Sequence, residues 1–416
     1  MDHFNYNENE MYCEGVRFDD LIAEVGTPAY VYSKATLKRH CLRITEAFSK
    51  YPTTACFAVK ANSNLSILSD IFSYGLGADL VSLGELKRAQ LAGADPQKIV
   101  FSGVGKKPEE IKAALQAGIL SFNVESDYEL KLISKIANEE NKVADICLRI
   151  NPNINAKTHP KIATGLYSTK FGLTEEATES LLEIVKTDRN INLVGLACHI
   201  GSQITDLTPL RDAARRMSEI CLRVMEKGHK LTFVNMGGGL GIRYRNESPP
   251  DLQDYADTII EEIKPTGLNL VIEPGRVIAG NMGVLVTKVL GVKKTPEKYF
   301  VIVDAAMNDL SRPSVYDAYH EILPVHKRQS ESINCDVVGP ICETGDYLGK
   351  DRQMNLPNQN DLMVIRSCGA YGATMSSNYN SRPRSVEVLV DGKNFRIIRQ
   401  REKLESLWQS ELEALK

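Results

Sequence analysis

The sequence predicts an α/β fold in which a (β/α)8 barrel of the TIM type is joined to a second, mostly β domain. Two features carry this prediction. Between residues 34 and 277, short apolar runs alternate with amphipathic helical patterns, as in repeated strand–helix units. From about residue 278 the sequence reads instead as β-like runs separated by turn residues, which indicates a second domain resembling a β-barrel or sandwich, and residues 1–33 are assigned to the same domain.

Eight candidate strands lie in the first region, with helical patterns between them. Strands covered by helices are buried on both faces, and they read as near-continuous apolar runs. Eight strand–helix units over about 240 residues are typical of a TIM-type barrel, although a doubly wound open sheet is the alternative. The candidates are Thr54–Lys60, Ala78–Ser82, Lys98–Ser102, Leu120–Val124, Ala144–Asn151, Leu193–Ile200, Thr232–Met236 and Leu268–Glu273.

The helical stretches between these strands have recognisable ends. Ser33 is predicted to cap the first helix, and Pro108 opens another that stops at Gly118. A third ends near Gly228. Their apolar residues fall on one stripe at helical spacing: Leu37, Cys41, Ile44 and Phe48 in the first, and Leu210, Ala214, Met217, Cys221 and Val224 in the third.

After about residue 278 the sequence shows β-like runs without a regular helix before its tail. The N-terminal run Pro28–Tyr32 precedes the first barrel helix and is assigned to this β domain, while the tail Lys403–Leu415 reads as helical. The remaining runs are Val284–Leu290, Tyr299–Asp304, Leu362–Ile365 and Val386–Val390.

Composition narrows the classes of function. The net charge is −3 and no basic stripe appears, which argues against nucleic acid and anionic membranes as partners. The polar N-terminus lacks the pattern of a signal peptide, and no apolar run is long enough to cross a bilayer. Nine scattered cysteines without a CxxC pair argue against disulfides and a zinc site, so we expect a cytoplasmic protein without a metal.

Chemically capable residues stand where four of the predicted strands end. Lys60 ends the first strand, and His199–Ser202 ends the sixth. The seventh runs into Gly237–Gly241 and the eighth into Glu273–Arg276. Because active sites of TIM barrels form at the carboxyl ends of the strands, these groups are predicted to converge on one mouth.

Each of these features alone has an ordinary explanation: a solvated lysine, a packed histidine, a glycine-rich turn. Together they fit a cofactor. The glycine run follows strand seven, where such barrels bind phosphate, and its backbone can approach an anion closely. Phosphate, a nucleophilic lysine and a carboxylate at the ring nitrogen are what pyridoxal phosphate (PLP) requires. Lys60 and Glu273 fit the last two roles, and His199 fits a stacking or supporting role.

At these residues the chain resembles the diaminopimelate decarboxylases, PLP enzymes that share the alanine-racemase-like barrel. The likeness runs from Gly26 to the final β segment. The motifs that carry it are Ala58–Asn62, Cys198–Gln203, the glycine run, Glu273–Arg276, Gly339–Asp346 and Gly369–Gly372.

The resemblance implies a role for each matching residue. Lys60 binds PLP, His199 stacks on its ring and Glu273 pairs with its nitrogen. Cys342 returns a proton after CO2 leaves, and Glu343 holds the distal ammonium of the substrate. Both would come from the partner subunit of a head-to-tail homodimer. The phosphate is held by Ser202, Gly237, Gly238, Gly239, Gly275, Arg276 and Tyr371, and the distal end of the substrate by Arg276, Arg312, Tyr316 and Tyr371.

Physical chemistry supports the substrate roles and leaves alternatives. Arginine offers a fork for a carboxylate, and Arg312 and Tyr316 are spaced to share one helical turn; they could equally be a surface pair. A thiol such as that of Cys342 can serve as an acid near neutral pH, yet eight other cysteines are expected to be structural.

The segment Asn151–Gly172 also resembles the family. It contains Lys157, His159, Lys170 and Phe171. It is interpreted as an active-site flap, and a structural insertion between strand and helix is the alternative.

The function implied is decarboxylation of meso-2,6-diaminopimelate at its D-centre to L-lysine and CO2, the last step of lysine biosynthesis. A related basic amino-acid or carboxypolyamine decarboxylase is the enzymatic alternative. A racemase is less favoured, because Glu273 at the ring nitrogen favours a fully developed carbanion. A non-catalytic PLP-binding regulatory homologue is the alternative of another class, and retention of Lys60 and Cys342 argues against it.

Overall fold

The computed structural model describes residues 2–156 and 158–415. Lys157, which the sequence places in the candidate flap, lies outside the described residues. The chain divides into two compact units. The barrel unit comprises His40–Arg243 and Glu247–Val277, and the β unit comprises the residues up to Arg39, Tyr244–Asn246 and the residues from Ile278 onward.

The strands fall into a barrel series and a β-unit series. The barrel series is β5 to β12, and the other strands belong to the β unit. In chain order the strands are β1 Phe4–Asn7, β2 Glu10–Cys13, β3 Val16–Arg17, β4 Ala29–Ser33, β5 Thr53–Ala58, β6 Gly77–Leu80, β7 Ile99–Phe101, β8 Ser121–Val124, β9 Ala144–Arg149, β10 Ile191–Ala197, β11 Phe233–Asn235, β12 Asn269–Ile272, β13 Gly283–Lys294, β14 Tyr299–Val303, β15 Ile322–Pro324, β16 Ser332–Val338, β17 Tyr347–Asn355, β18 Leu362–Ile365, β19 Val386–Asp391 and β20 Asn394–Arg399.

The α-helices mostly connect barrel strands. Over the described residues, no helix has both the length and the apolar character needed to cross a membrane. In chain order the helices are α1 Phe18–Val25, α2 Lys34–Ala47, α3 Leu65–Ser73, α4 Leu83–Leu91, α5 Pro108–Ala117, α6 Asp127–Glu139, α7 Glu175–Thr187, α8 Leu207–Glu226, α9 Leu252–Ile263, α10 Arg276–Ala279, α11 Arg312–Tyr316 and α12 Gln409–Ala414.

The predicted barrel is confirmed. Strands β5 to β12 form a closed barrel in sequence order, and every neighbouring pair, including β12 with β5, is parallel. Closure excludes the open doubly wound sheet. All eight predicted strands are present with ends shifted by a few residues. Their interior packs residues from six strands into one apolar cluster: Cys56, Val100, Cys147, Ala197, Phe233 and Val271.

The predicted helix ends are also confirmed. The Ser33 hydroxyl accepts a hydrogen bond from the Thr36 N–H at 3.0 Å, which caps α2. Helix α5 begins at Pro108 and ends at Gly118, whose φ of +66° is the left-handed conformation of a helix C-terminus. The predicted apolar stripe of α8 is buried.

The β unit is built on a nine-stranded mixed sheet. Strand β4 lies within it, antiparallel to β13 and parallel to β19. Strands β1 to β3 form a separate antiparallel sheet. The expectation of no regular helix before the tail was wrong: α11 forms one short turn, and its proline lies where the first turn leaves N–H groups unbonded. The predicted helical tail is confirmed as a 3-10 turn followed by α12.

Candidate active site

Every barrel strand brings a polar side chain to its carboxyl end. Lys60 lies in the single 3-10 turn Val59–Ala61 directly after β5, and Glu273 directly follows β12. Because all eight strands are parallel, these groups share one rim of the barrel. In strand order they are Lys60, Asp79, Ser102, Asn123, Arg149, His199, Asn235 and Glu273. Sequence reasoning named Lys60, His199 and Glu273 and missed the other five.

The amine of Lys60 is held against a buried carboxylate. Its Nζ donates to Oδ2 of Asp79 at 2.9 Å, and the Asp79 side chain is wholly buried. The other oxygen of Asp79 accepts from the Ser102 hydroxyl at 2.7 Å. The ion pair and this hydrogen bond offset the cost of burying the carboxylate. Lys60 is therefore an oriented amine rather than a loosely solvated lysine.

The carboxyl of Glu273 receives two amide groups on one oxygen. The Nδ2 atoms of Asn235 and Asn123 lie 2.6 Å and 3.2 Å from its Oε1. Desolvation, and then the negative charge of Asp79, raise the pKa of Glu273 to about 7, against the opposing effects of Lys60 and Asn235. Glu273 thus changes its charge close to neutral pH.

The ring of His199 has a defined tautomer. Its Nδ1 accepts a hydrogen bond from the Gly238 N–H at 3.2 Å, so this nitrogen carries no proton and the neutral ring is protonated at Nε2. Desolvation, followed by the positive charges of Arg149 and Lys60, lowers the pKa of His199 well below its ordinary value. The imidazole is therefore neutral at physiological pH.

The glycine run has a backbone that other residues cannot adopt without strain. Gly237 and Gly239 have φ values of +64° and +118°. A Cβ on Gly238 would lie 2.1 Å from the Glu273 carbonyl oxygen, and one on Gly239 would lie 2.6 Å from that of Gly201. The run is therefore packed against the ends of β10 and β12, and its backbone rather than its side chains faces any ligand.

A buried cation accompanies the glycine run. Arg276, only 6% exposed, donates from Nη2 to the hydroxyl of Ser202 at 3.1 Å. Ser202 follows Gly201, against which Gly239 packs, and Gly275 precedes Arg276. A guanidinium, a hydroxyl and bare backbone form a donor set for a phosphate. With the amine of Lys60 and the carboxyl of Glu273, these residues fit pyridoxal phosphate.

In the β unit, Arg312 is clamped by two residues that sequence reasoning missed. Its Nη1 donates to the hydroxyl of Tyr244 at 2.9 Å and lies 3.0 Å from Nε2 of His320. Its guanidinium carbon also lies 4.8 Å from the centre of the Tyr244 ring. Nδ1 of the fully buried His320 lies 2.8 Å from the Arg366 carbonyl and must donate to it, so the unprotonated Nε2 is the acceptor for Arg312. The clamp fixes the direction of the Arg312 fork.

Helix α11 places Arg312 and Tyr316 on one turn, as their spacing predicted. The hydroxyl of Ser314 donates to the Gly345 carbonyl at 2.6 Å, which ties α11 to the loop Gly339–Asp346.

The loop Gly339–Asp346 presents Cys342 and Glu343 to solvent. Buried Asp346 fixes its backbone by accepting from the N–H groups of Ile341 and Met307, both at 2.7 Å. Cys342 is the exposed cysteine of the nine, and the other eight are buried. Tyr371 also lies in this unit, in the left-handed region with φ of +56°.

The predicted residues are thus divided between the units. The barrel unit holds Lys60, His199, Ser202, the glycines, Glu273 and Arg276; the β unit holds Arg312, Tyr316, Cys342, Glu343 and Tyr371.

The candidate flap is anchored on the barrel unit. Asn151 donates to the carbonyls of Leu166 and Phe171 at 2.9 Å and 3.1 Å. The Gly172 N–H donates to Glu125 at 3.1 Å. The guanidinium carbon of Arg149 lies 4.9 Å from the centre of the Phe171 ring. These contacts fix the end of the segment that returns to the barrel.

Comparison with known proteins first gives the class. The family model for the pyridoxal binding domain of pyridoxal-dependent decarboxylases matches residues 34–280. A parallel barrel with an oriented lysine, a carboxyl and a glycine-lined anion site is what this class requires, and its cofactor is pyridoxal phosphate.

Full-length relatives then narrow the class. A diaminopimelate decarboxylase of Vibrio cholerae is 49% identical over 413 residues, 99% of each chain. The crystal structure of diaminopimelate decarboxylase from Helicobacter pylori complexed with L-lysine is 44% identical, with a TM-score of 0.93 over 96% of this chain and 100% of that one. The enzyme from M. jannaschii, also in complex with L-lysine, is 37% identical, with a TM-score of 0.94 over 98% and 97%. The chain belongs to the diaminopimelate decarboxylase family.

Proposed function

We propose that this protein decarboxylates meso-2,6-diaminopimelate at its D-centre, giving L-lysine and CO2 in the last step of lysine biosynthesis. The observation that carries this proposal is the pairing of two residue sets in one chain. The barrel unit has the groups that hold pyridoxal phosphate, and the β unit has an oriented arginine and an exposed Cys342–Glu343 pair. Full-length relatives that bear the name of this enzyme support the substrate.

The barrel residues would hold the cofactor. Lys60 would bind it covalently through Nζ, and Glu273 as a carboxylate would accept a hydrogen bond from the protonated ring nitrogen. Neutral His199 would stack on the ring. When bound, pyridoxal phosphate supplies an electron-accepting ring that stabilises the carbanion left when CO2 departs. Ser202, Gly237, Gly238, Gly239, Gly275 and Arg276 of the barrel unit would hold its phosphate, and Tyr371 is the β-unit residue that the family resemblance adds to this set.

The β-unit residues hold the substrate and return the proton. The clamped Arg312, together with Arg276, Tyr316 and Tyr371, binds the distal carboxylate, and Glu343 binds the distal ammonium. The Cys342 thiol donates the proton that replaces CO2. Exposure of Cys342 and Glu343 suits groups that must meet a substrate.

Two copies of the chain complete each site in this proposal. They pair head to tail, and the partner's Cys342 and the partner's Glu343 serve the Lys60 of the first copy. Nine scattered thiols suit a reducing compartment, so the cytoplasm is the proposed location.

The substrate is tested with purified protein and pyridoxal phosphate, incubated separately with meso-diaminopimelate, ornithine and arginine while CO2 and product are followed. We expect lysine from meso-diaminopimelate. Turnover of ornithine or arginine alone would show that the substrate assignment is wrong and that the assignment as a decarboxylase is right. Bound cofactor without turnover of any of the three would indicate a non-catalytic homologue.

The shared site is tested by mixing two inactive variants, Lys60→Ala and Cys342→Ala. Random pairing in a dimer gives mixed dimers with one intact site, so about a quarter of wild-type activity should return if the sites are shared. No recovery after subunit exchange, with mixed dimers verified by mass, would place each Cys342 in the site of its own chain.

A further inference from the structure

A buried chain of hydrogen bonds links the three cofactor-binding elements of the barrel unit. It runs from the lysine, through three strand ends, to the acid and on to the glycine run. Asp79, Ser102, Asn123 and Asn235 are all at least nine-tenths buried. The bonds are Lys60 to Asp79 at 2.9 Å, Ser102 to Asp79 at 2.7 Å, Asn123 to Ser102 at 2.9 Å, Asn123 to Glu273 at 3.2 Å, Asn235 to Glu273 at 2.6 Å and the Gly237 N–H to Asn235 at 2.8 Å.

The proton count fixes the amide of Asn123. The Ser102 hydroxyl has one proton and gives it to the carboxylate of Asp79, so its oxygen must accept from Asn123. The second N–H of the same Nδ2 then points at Glu273. A flipped amide would set its oxygen against two acceptors. The Oδ1 of Asn123 is buried without a hydrogen-bond partner in the described structure. The orientation of this amide is therefore set by the two hydrogen bonds that its Nδ2 donates.

A separate bond fixes the amide of Asn235. Its Oδ1 accepts from the Gly237 N–H, which cannot act as an acceptor, so its Nδ2 must face Glu273. The glycine run thereby sets the orientation of the group that contacts the acid. Two independently oriented donors therefore converge on one oxygen of Glu273.

This arrangement favours the ionised form of Glu273. Two N–H groups on Oε1 stabilise a carboxylate, and they leave Oε2 to meet the cofactor. The groups that face Glu273 are the charged side chains of Asp79, Lys60 and Arg149 and the buried Cys56, Cys147, Cys198 and Tyr255. Of the charged ones, Asp79 opposes ionisation, while Lys60 and Arg149 favour it.

We infer that Asn123 and Asn235 are positioning residues that favour the ionised form of Glu273 and turn it toward the ring nitrogen of the cofactor. The inference rests on the proposed function for the identity of that partner. Without the amides, the pKa of Glu273 rises further, so a smaller fraction of it is ionised at neutral pH and able to accept a hydrogen bond from a protonated ring nitrogen. The ring then stabilises the carbanion less well.

The test uses Asn235→Leu and Asn123→Leu, each of which removes an amide donor from Glu273 without adding a charge. Asn308→Leu is the matched control, because Asn308 is a buried asparagine of the β unit outside the proposed site. The first readout is an infrared titration of the cofactor-free protein, with the Glu273 band assigned by subtracting Glu273→Gln. We expect the midpoint to rise by about one pH unit in both test variants and to stay unchanged in the control.

The second readout is the pH profile of kcat/KM with meso-diaminopimelate. Because the ionised acid is required, the acid limb should move to higher pH in both test variants. Unchanged infrared midpoints would overturn the inference. The infrared arm needs no turnover, so it stands even if the protein acts on another substrate or none. If circular dichroism shows that a test variant does not fold, the serine variant at the same position, Asn235→Ser or Asn123→Ser, replaces it. An unchanged infrared midpoint in that variant would also overturn the inference.

Discussion

The barrel unit buries the polar residues that support its site, whereas the loop Gly339–Asp346 of the β unit exposes its candidate site residues to solvent. In the barrel, Asp79, Asn123 and Asn235 are buried and hydrogen-bonded to the groups they serve. In the loop, Cys342 and Glu343 are exposed on a backbone pinned from beneath by Asp346. The barrel fixes charges and orientations in advance, which suits the proposed binding of a cofactor. The loop leaves its groups accessible, which suits the proposed contact with a substrate that enters and leaves.

Loss of the barrel lysine should give the largest effect. We expect Lys60→Ala to lower kcat by at least about three orders of magnitude, because the covalent link to the cofactor is lost. Turnover measures the loss of activity, and the cofactor absorbance that remains after dialysis measures the loss of the covalent link. Lys131→Ala, on the exposed face of α6, is the control and should behave as wild type. Retained covalent cofactor in Lys60→Ala would place the link elsewhere.

Loss of the loop thiol should slow turnover without changing cofactor binding. We expect Cys342→Ala to slow turnover by about a hundredfold to a thousandfold, the range for loss of a general acid, with cofactor absorbance unchanged. Cys335→Ala, at a buried cysteine of the same unit, should keep its turnover. Turnover of Cys342→Ala within about threefold of wild type would remove Cys342 as the proton donor.

The clamp around Arg312 resembles the barrel site in its burial, and its proposed role is to orient a substrate-binding arginine. Replacing His320 by Phe removes the acceptor for Nη1, so the KM for meso-diaminopimelate should rise by about tenfold, the cost of one hydrogen bond to a charged group. Cofactor absorbance should not change. His320→Gln retains an acceptor and should recover part of the loss. A fall in kcat alone, with KM unchanged, would contradict a positioning role.

The last effect concerns stability and its dependence on pH. The folded-state pKa of Glu273, raised from 4.5 to about 7, means that the folded state binds this proton more tightly than the unfolded state. Its contribution to stability is therefore greatest at acid pH and is lost as the pH rises through about 7. In cofactor-free protein at pH 8, Glu273→Gln should raise the free energy of unfolding by about 1–3 kcal/mol.

Exposed Glu343 supplies the matched control for this measurement. Glu343→Gln should change the free energy of unfolding by no more than about 0.5 kcal/mol, as for most surface substitutions. Urea unfolding at pH 5 and pH 8 measures both variants. Equal effects of the two substitutions at pH 8 would mean that burial of ionised Glu273 does not lower the free energy of unfolding.

The barrel and the placement of candidate site residues on its rim could be predicted, because apolar runs locate the strands and therefore their ends. Lys60 and Glu273 stand at such ends. Asp79, Asn123 and Asn235 also carried a signal, since each is a polar residue inside an apolar run. A buried polar side chain needs a partner, but the partner of Asn123 lies 150 residues away, and sequence spacing does not disclose it.

The clamp and the small β-strands could not be predicted from the sequence pattern. Tyr244 lies in an irregular stretch after the glycine run and contacts Arg312 68 residues later. Strands β1 to β3 have two to four residues, too few to show alternation. The turn of α11 is equally short, and only the spacing of Arg312 and Tyr316 hinted at it.

The distribution of thiols gives the molecule a chemical handle. Burial raises the pKa of each of the eight enclosed cysteines, which suppresses the thiolate that electrophiles attack. Toward a water-soluble alkylating reagent, the folded chain therefore behaves as a single-thiol protein. A spin label or fluorophore supplied to the native protein will attach at Cys342, so a spectroscopic reporter can be placed there without removing any other cysteine.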